Sequence, residues 1–350
     1  MPPSTNRRLG ARLALVSPVV AIALLLTGCG DADDDAEPAA TSAAPATSAA
    51  PTTTAELTAP PTTAGDFPIV VEHALGSTEV PEEPMRVVAL DGSVVDAALA
   101  LELEIIGYTT FRDPNGSLPD YFGEALSAFA PNAEWVGDLT APNIEAILAL
   151  DPDLIVSAAV RHELIYDELS AVAPTIMTES AGGGWKDSLR LVGEASGRSE
   201  LAEQLIADHE SRAAEVGAAI NAAADDPTIS IVRFVDAIRL YQPVSFSGGV
   251  LEDAGLARPE SQQDREDFIR IISEEELELA DADVVIYAVF DDPELIAEVD
   301  EALEGPLWGS LGAVQRGEVY AVPDETWMAG VGLFGANIIL DDLEEIFGVG

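Results

Sequence analysis

The stretch NIEAILALDPDLIV, from Asn143 to Val156, has a counterpart 130 residues later in SEEELELADADVVI, from Ser273 to Ile286. Each copy begins with a residue whose side chain can cap a helix, continues as a short apolar helix, turns at Asp-x-Asp and ends as an apolar strand. A helix and a buried strand of this kind pack as neighbouring layers of an α/β fold. The repetition therefore predicts two lobes of like architecture in one chain.

Around both copies, apolar β-rich runs alternate with helical patterns, which is typical of α/β folds with parallel sheets. In the first half, strands are predicted at 86–90, 105–109, 154–158 and 174–177, and helices at 93–103, 143–150 and 162–172. In the second half, strands are predicted at 228–235, 240–246, 284–290 and 318–322, and helices at 249–255, 274–279, 293–303 and 336–347. The predicted fold is α/β, with two Rossmann-like lobes that each hold a central parallel sheet.

One long helix is predicted between the lobes, from about residue 199 to residue 224, before Pro227. At about 1.5 Å per residue it spans nearly 40 Å, enough to cross the back of two small domains. Its apolar stripe consists of Leu201, Leu205, Ala213, Val216 and Ile220. His209 falls on this stripe, so we expect it to be a packed histidine. The predicted boundaries are 67–198 for the N-terminal lobe, 199–225 for the linking helix and 226–350 for the C-terminal lobe.

Residues 1–28 read as a signal peptide, with three arginines followed by a short apolar run that ends in Leu26-Thr27-Gly28-Cys29. The alternative, a membrane-spanning anchor, is less favoured because the run is shorter than about 20 residues and contains Pro18. Cys29 is the only cysteine, so it cannot form an internal disulfide and is predicted to carry a lipid such as palmitate. Residues 29–66 then form a flexible Ala/Thr/Pro tether, which places the protein on the extracytoplasmic face of the cell membrane.

The charge of the chain excludes nucleic acid as a partner. It contains 63 Asp and Glu against 16 Lys and Arg, a formal net charge of −47, and Lys186 is its only lysine. Phosphate binding needs a basic patch, which such a chain does not supply. The acidic surface is interpreted as a solvated one that favours solubility, including in a salty habitat.

Neither a bare metal ion nor a catalytic motif is predicted. Zinc and manganese receptors use several His and carboxylate ligands brought together in one cleft. The only histidines of this chain are His73, His162 and His209. A serine hydrolase would show G-x-S-x-G at a strand-to-helix turn, and neither this motif nor a phosphate-binding glycine loop is present. The protein is thus predicted not to be an enzyme. A lipid-anchored cell-surface hydrolase is the alternative from a different functional class.

A ligand cleft is predicted where the parallel strands end, because ligands of doubly wound sheets bind beyond the carboxyl ends of the strands. Arginine suits carboxylate and other oxyanion groups, and aromatic side chains offer flat apolar contact to a bulky ligand. The predicted ligand-binding residues are Phe111, Arg112, Arg161, His162, Arg239, Tyr241, Phe290 and Trp327. Asp91, Gly92, Ser93 and Met328 also follow strand ends.

The ordered set of segments resembles the substrate-binding lipoproteins of ABC importers for ferric siderophores, haem and cobalamin. The similarity runs from about residue 68 to residue 348. Besides the two repeated stretches it rests on RVVALDGSVVDAALALELEIIGYT (Arg86–Thr109), LIYDELSAVAPTI (Leu164–Ile176), GGVLEDAGLARP (Gly248–Pro259) and PLWGSLGAVQRGEVYAVPDETWMAGVGLFGANIILDDL (Pro306–Leu343). The resemblance implies two lobes joined by a single helix and a monomeric receptor that passes a ferric siderophore to an ABC permease. Haem and cobalamin are the alternative ligands, and no cofactor is implied besides the lipid on Cys29. If the ligand is a ferric chelate, His162 or Tyr241 could complete an unsaturated iron site.

The resemblance also gives a role to one carboxylate in each repeated stretch. Glu145 and Glu275 both occupy the second helical position, where a carboxylate suits the positive end of the helix dipole. From the residues alone, dipole compensation is the simpler interpretation. In the family, one surface glutamate on each lobe docks onto basic residues of the permease, and Glu145 and Glu275 are the matching positions.

Overall fold

The computed structural model describes residues 67–111, 115–180 and 182–350, which fall within one folded unit. The predicted signal peptide, Cys29 and the tether lie outside the described residues, and so does Arg112. The described chain begins with an antiparallel hairpin of β1 (Ile69–His73) and β2 (Gly76–Val80). The alternation pattern had not predicted this hairpin.

The N-terminal lobe is built on a six-stranded sheet. Its strands are β3 (Val87–Ala89), β4 (Ile105–Thr110), β5 (Glu134–Asp138), β6 (Ala141–Pro142), β7 (Leu154–Ala158) and β8 (Thr175–Thr178). They lie in the order β6-β5-β4-β3-β7-β8, and all pairs are parallel except β5 with β6. Every residue of β3, β4, β7 and β8 is buried, as expected for a parallel sheet covered on both faces.

Six α-helices accompany this sheet: α1 (Gly92–Ala100), α2 (Glu124–Phe129), α3 (Ile144–Ala149), α4 (Ala159–His162), α5 (Tyr166–Ser170) and α6 (Trp185–Ala195). The helix predicted at 162–172 is wrong as a single element. The chain there forms α4, a 3-10 turn at Glu163–Ile165 and then α5. His162 is buried at the end of α4, where both ring nitrogens are hydrogen bonded, and the chain changes direction after it.

The C-terminal lobe has a five-stranded sheet that is mixed rather than wholly parallel. Its strands are β9 (Ile229–Phe234), β10 (Ile238–Tyr241), β11 (Ile269–Ile272), β12 (Val284–Val289) and β13 (Val319–Ala321), in the order β11-β10-β9-β12-β13. The strands β9, β12 and β13 are parallel, whereas β10 runs antiparallel to both neighbours. The link between β9 and β10 is too short for a crossover, which needs a dozen or more residues, so these two strands form a hairpin.

The remaining helices are α7 (Ser199–Ala224), α8 (Phe246–Asp253), α9 (Pro293–Leu303), α10 (Gly312–Arg316) and α11 (Leu333–Phe347). The strand predicted at 240–246 ends too late, because Ser245 caps α8 by accepting a hydrogen bond from Gly248 N. The linking helix α7 has the predicted bounds and ends at Asp225 in a left-handed conformation. His209 is 2% exposed and packs edge-on against Trp185, with ring centroids 5.1 Å apart, as predicted.

Two side-chain contacts join helices of the N-terminal lobe to helices of the C-terminal lobe. Asp96 of α1 accepts hydrogen bonds from Leu333 N (2.6 Å) and Phe334 N (3.1 Å), the first residues of α11. Lys186 of α6 donates to Asp253 at the end of α8 over 2.8 Å. These contacts tie the first lobe to helices of the second lobe.

Within the part of the chain that the structure describes, no helix has the length and apolar character required to span a bilayer.

Candidate functional site

A cavity of 660 Å³ lies between the two lobes, at the carboxyl edges of both sheets. Its size is within the range of small-molecule sites, about 300–1,000 Å³. The N-terminal lobe contributes residues that follow β3, β4 and β7, and the C-terminal lobe contributes residues at the ends of β9, β12 and β13. We call this cavity the cleft. The structure thus has a cavity at the strand ends, where the sequence predicted the ligand cleft.

Arg161 projects from the N-terminal lobe side of the cleft. Its Nε lies 3.2 Å from Oδ2 of Asp91, and 43% of its side chain is exposed. Asp91 also caps α1, because its Oδ1 accepts hydrogen bonds from Ser93 N at 2.9 Å and Ser93 Oγ at 2.6 Å. The ion pair thus fixes one edge of the guanidinium and leaves much of the side chain accessible to a ligand.

Arg233 faces the cleft from the C-terminal lobe, close to the end of β9. It makes a bidentate ion pair with Asp324, with Nε–Oδ1 at 2.6 Å and Nη2–Oδ2 at 2.7 Å, and Nη1 donates to Tyr241 Oη at 3.0 Å. Its guanidinium carbon lies 5.9 Å from the ring centroid of Phe290. Burial disfavours the charged form, but the hydrogen bonds to Asp324 and Tyr241 together raise the pKa of Arg233. Arg233 is therefore a fixed cation.

Aromatic and apolar side chains form another part of the wall. Tyr121 and Phe122 lie in the loop region between β4 and β5, with ring centroids 4.4 Å apart. Burial, with smaller contributions from the charges of Asp96 and Glu325, raises the pKa of Tyr121, so its hydroxyl stays protonated. Together with Met328 they form an apolar part of the cleft wall.

Three of the predicted ligand-binding residues line the cleft: Arg161, Phe111 and Phe290. Asp91, Gly92, Ser93 and Met328, which the same rule indicated, line it as well. Arg112, another predicted ligand-binding residue, lies outside the described residues. Binding by these side chains stays a prediction.

Two other predicted residues lie in the core instead of in the cleft wall. Trp327 is completely buried, and its indole Nε1 donates to Asp342 over 2.7 Å. Tyr241 is 3% exposed, and its hydroxyl supports Arg233. Met328, next to Trp327 in sequence, and Arg233, hydrogen bonded to Tyr241, line the cleft instead. Neither ring is placed to touch a ligand directly.

His162 and Arg239 are also engaged elsewhere. His162 is 2% exposed, its Nδ1 lies 2.6 Å from Ser157 Oγ, and its Nε2 lies 2.7 Å from the carbonyl oxygen of Leu139. Burial lowers the pKa of His162, so the ring is neutral and donates to the carbonyl. Arg239 pairs with Asp236, three residues away, and is not among the described residues that line the cleft. The suggestion that His162 or Tyr241 completes an iron site therefore has no geometric support.

Sequence reasoning missed Arg233, Asp324, Tyr121 and Phe122. Arg233 lies opposite Arg239 in the antiparallel ladder of β9 and β10, and of these two arginines it is Arg233 that lines the cleft. The signal was available, because Arg233 is the penultimate residue of a parallel strand. Tyr121 and Phe122 lie in a region without periodic pattern, so no comparable signal marks them.

Metal binding and catalysis receive no support from side-chain placement. Among the described residues, no group of three or more His, Cys, Asp or Glu side chains is placed to hold a metal ion. The contact between Ser157 and His162 is buried and does not line the cleft, so it offers no nucleophile to a bound substrate.

Comparison with known proteins decides the family. The model of the family described as periplasmic binding protein matches residues 87–326, most of both lobes. The chain belongs to this family. As a periplasmic binding protein it is a solute-binding protein rather than an enzyme.

Relatives of this periplasmic binding protein cover most of its length. It is 34% identical over 290 residues to the probable siderophore-binding lipoprotein YfiY of Bacillus subtilis, covering 79% of this chain and 87% of the relative. It is 29% identical to the achromobactin-binding periplasmic protein of Dickeya dadantii, covering 76% of this chain and 87% of the relative. The solved structure of Staphylococcus aureus SirA complexed with staphyloferrin B superposes with a TM-score of 0.73 at 29% identity, covering 80% of this chain and 99% of SirA.

The two repeated stretches end up as exposed helix starts on the two lobes of this binding protein. Asn143 caps α3 by accepting from Ala146 N at 3.0 Å. Ser273 starts a 3-10 helix, Glu274–Ala280, with a capping box that includes Glu276. The second copy is thus 3-10 rather than α-helical. Glu145 and Glu275 are both exposed at the second helical position, as the sequence predicted.

Proposed function

We propose that the protein is the lipid-anchored, extracytoplasmic receptor of an ABC importer and that it binds a ferric siderophore in the cleft. The observation that carries the proposal is the placement of Arg161 and Arg233. These two cations come from opposite lobes and face one cavity with aromatic walls. Such a cavity suits a bulky chelate with oxygen-rich groups, which arginine binds by hydrogen bonds and aromatic rings bind by flat contact.

The relatives support this choice of ligand. YfiY is described as siderophore-binding, the Dickeya dadantii protein as achromobactin-binding, and SirA was solved with staphyloferrin B. The Fe(3+)-citrate-binding protein YfmC of Bacillus subtilis is 26% identical to this chain.

The charge balance of the cleft limits the ligand further. Arg161 and Arg233 are each paired with a carboxylate, and Asp291 and Glu325 also line the cavity. A highly anionic ferric complex would meet these carboxylates at close range. We therefore propose a ferric complex of low net charge, such as a hydroxamate, that presents one or two oxygen groups to the arginines.

Delivery is proposed to use the two exposed glutamates. Glu145 and Glu275 lie on different lobes, so together they give a permease two points of contact on the receptor. Exposed charges of this kind act mainly on orientation and association rate. The anchor in this proposal is a lipid on Cys29.

The proposal is tested by titration of the chain from residue 29 onward, produced with Cys29→Ser so that it carries no lipid. Ferric hydroxamates, ferric citrate, ferric catecholates, haem and cobalamin are added while tryptophan fluorescence is followed. We expect a ferric siderophore to bind with Kd below about 10 μM, roughly −7 kcal/mol. If every ferric complex binds more weakly than this, the proposal is wrong. Preferential binding of haem or cobalamin would show that the ligand assignment is wrong and that the receptor assignment stands.

A further inference from the structure

A second cavity, of 400 Å³, opens on the C-terminal lobe and does not share its lining with the cleft. It lies between the turn after β9, the 3-10 helix Glu274–Ala280 and helix α9. The floor is apolar: Leu277, Val299 and Trp308 are each at most 7% exposed. Leu307 lies at its edge with 49% of its surface exposed. We call this cavity the groove. An exposed apolar groove of this kind is typical of a site for another molecule.

The rim of the groove carries only one sign of charge. Its described lining includes the carboxylates of Asp236, Glu274 and Glu298 and no Lys, Arg or His. Asp236 is paired with Arg239 nearby, whereas Glu274 and Glu298 are exposed on two different elements that flank the groove. A molecule that fits both the apolar floor and the negatively charged rim would present an apolar side chain with a Lys or Arg beside it.

The 3-10 helix that carries Glu275 forms part of the groove wall. Glu274, which lines the groove, is the first residue of the helix that carries Glu275. The N-terminal lobe shows a smaller version of the same combination, because Leu148 lies one helical turn after Glu145 on α3 and is 60% exposed. Each proposed docking carboxylate therefore lies on a short helix that also carries an exposed leucine, Leu148, or a groove-lining leucine, Leu277.

We propose that the groove receives a segment of the ABC permease in which an apolar side chain stands next to a Lys or Arg. The inference rests on the proposed function, and it adds an apolar anchor to the contact made through Glu275. Well-packed anchors of this type account for most of the binding energy at protein interfaces, while exposed charge pairs contribute less. The groove thus supplies affinity, and the two glutamates supply orientation.

The decisive variant fills the groove without touching the cleft. Ala302 is exposed on α9 and lines the groove, so Ala302→Trp places a large ring into it. Ala297 is exposed on the same helix but is not part of the described lining, and Ala297→Trp is the matched control. A second pair separates charge from volume: Glu298→Arg reverses a rim carboxylate, and Glu301→Arg reverses an exposed one outside the lining.

Each full-length variant is expressed in cells that lack the natural copy, and uptake of the ⁵⁵Fe complex identified by titration is measured at subsaturating concentration. We expect about a tenfold loss of uptake for Ala302→Trp and Glu298→Arg, near-normal uptake for both controls, and unchanged affinity of all four purified variants for the ferric complex. Equal uptake by Ala302→Trp and Ala297→Trp, or equal uptake by the two charge variants, overturns the groove as a docking site.

The failure of the groove and the failure of the receptor are distinguishable. Normal uptake by Ala302→Trp together with lost uptake by Glu275→Arg rejects the groove and keeps the proposed function. Absence of uptake with the natural chain rejects both. A ferric complex or other small molecule that is displaced from the protein by Ala302→Trp shows that the groove is a ligand site, which also overturns the proposal.

Discussion

Asp153 and Asp283, 130 residues apart, hold the start of the neighbouring strand in their respective lobes by the same kind of hydrogen bond. Asp153 accepts from Arg86 N at 2.9 Å, directly before β3, and Asp283 accepts from Thr228 N at 3.0 Å, directly before β9. In each lobe the carboxylate lies at the start of the strand that pairs in parallel with the neighbour it holds. The second Asp of each repeated Asp-x-Asp turn is therefore a structural residue that sets the register of two central strands.

Replacing either carboxylate should weaken the fold without changing the ligand site. We expect Asp153→Ala and Asp283→Ala each to cost about 1 kcal/mol, or a fall of about 2–4 °C in Tm, because backbone N–H groups lose a charged acceptor. Glu301→Ala, an exposed substitution, serves as the control. Thermal unfolding followed by circular dichroism gives the measurement, and Tm values equal to that of the control would contradict the structural role.

The contribution of Asp283 to the stability of the fold should also depend on pH. The backbone N–H of Thr228, followed by its hydroxyl, lowers the pKa of Asp283 in the folded state. A lowered pKa stabilises the fold above the unfolded value of about 4, and this stabilisation is lost as the pH falls through the lower folded value. The difference in Tm between the natural chain and Asp283→Ala should therefore be largest near neutral pH and shrink below about pH 4.

The sequence predicted those elements whose ends are set by local chemistry. Helix α9 has the predicted bounds because Asp292 caps it and Pro293 occupies its first turn. The linking helix α7 was equally clear from its periodicity. In contrast, β5, β6 and β11 were missed, since they lie at or near sheet edges, where few apolar residues mark them and partners distant in sequence define them.

The cleft was predicted in position more accurately than in composition. Arg161, Phe111 and Phe290 follow strand ends and line the cavity. Trp327 follows β13 too, but a π-helical turn at Glu325–Ala329 directs the ring into the core and leaves Met328 on the cavity side. Which member of such a turn faces a ligand is decided by packing against other elements, and sequence spacing does not contain that information.

Asp96 makes the contact between the lobes sensitive to pH. It is almost completely buried, and this burial raises its pKa to about 8, although the backbone N–H groups of Leu333, Phe334 and Gly335 act in the opposite direction. Between about pH 4 and pH 8 the folded state holds a proton that the unfolded state has lost, so this group makes stability fall as pH rises. We expect Asp96→Asn to remove that part of the pH dependence.

The measurement is Tm at pH 5, 7 and 9 for the natural chain and for Asp96→Asn. The decline from pH 5 to pH 9 should be steeper in the natural chain, and parallel profiles would contradict the assignment. Gly332→Ala offers an independent check. Its added Cβ would lie 2.1 Å from Cγ of Asp96, so the variant should disturb the same contact at every pH.

Arg161 and Arg239 provide a matched pair for ligand recognition. Arg161 lines the cleft and Arg239 pairs with Asp236. Since a hydrogen bond to a charged group is worth about 1.5–3 kcal/mol, Arg161→Met should weaken binding of the ferric complex by about tenfold to a hundredfold. Arg239→Met should bind as the natural chain does. Fluorescence titration compares them, and a larger loss in Arg239→Met would show that the ligand extends beyond the cleft.

The two proposed docking carboxylates lie outside the ligand site, so their role can be tested separately from ligand binding. Glu145→Arg and Glu275→Arg replace exposed side chains at helix starts, away from the residues that line the cleft. We expect the double variant to lose uptake of the ⁵⁵Fe complex, because in the proposed docking two arginines would then face basic residues of the permease. Its affinity for the ferric complex should stay unchanged. Loss of ligand binding in the purified variant would instead assign these residues to the fold or to the cleft.

Opening of the cleft should be small, since rigid contacts join the lobes near α7. Lys186 bridges Asp253 of the other lobe and Glu210 of α7, at 2.8 and 2.7 Å. Helix α8 also lies so close to α7 that a Cβ on Gly217 would be 1.6 Å from the carbonyl oxygen of Ala254. A single packed helix and these bridges absorb less rotation than flexible connecting strands do.

Small-angle scattering of the free and ferric-loaded protein should therefore give nearly equal radii of gyration. Lys186→Met, which removes the bridge, should increase the difference, and a large domain movement in the natural chain would show that the helix and its bridges do not limit the lobes.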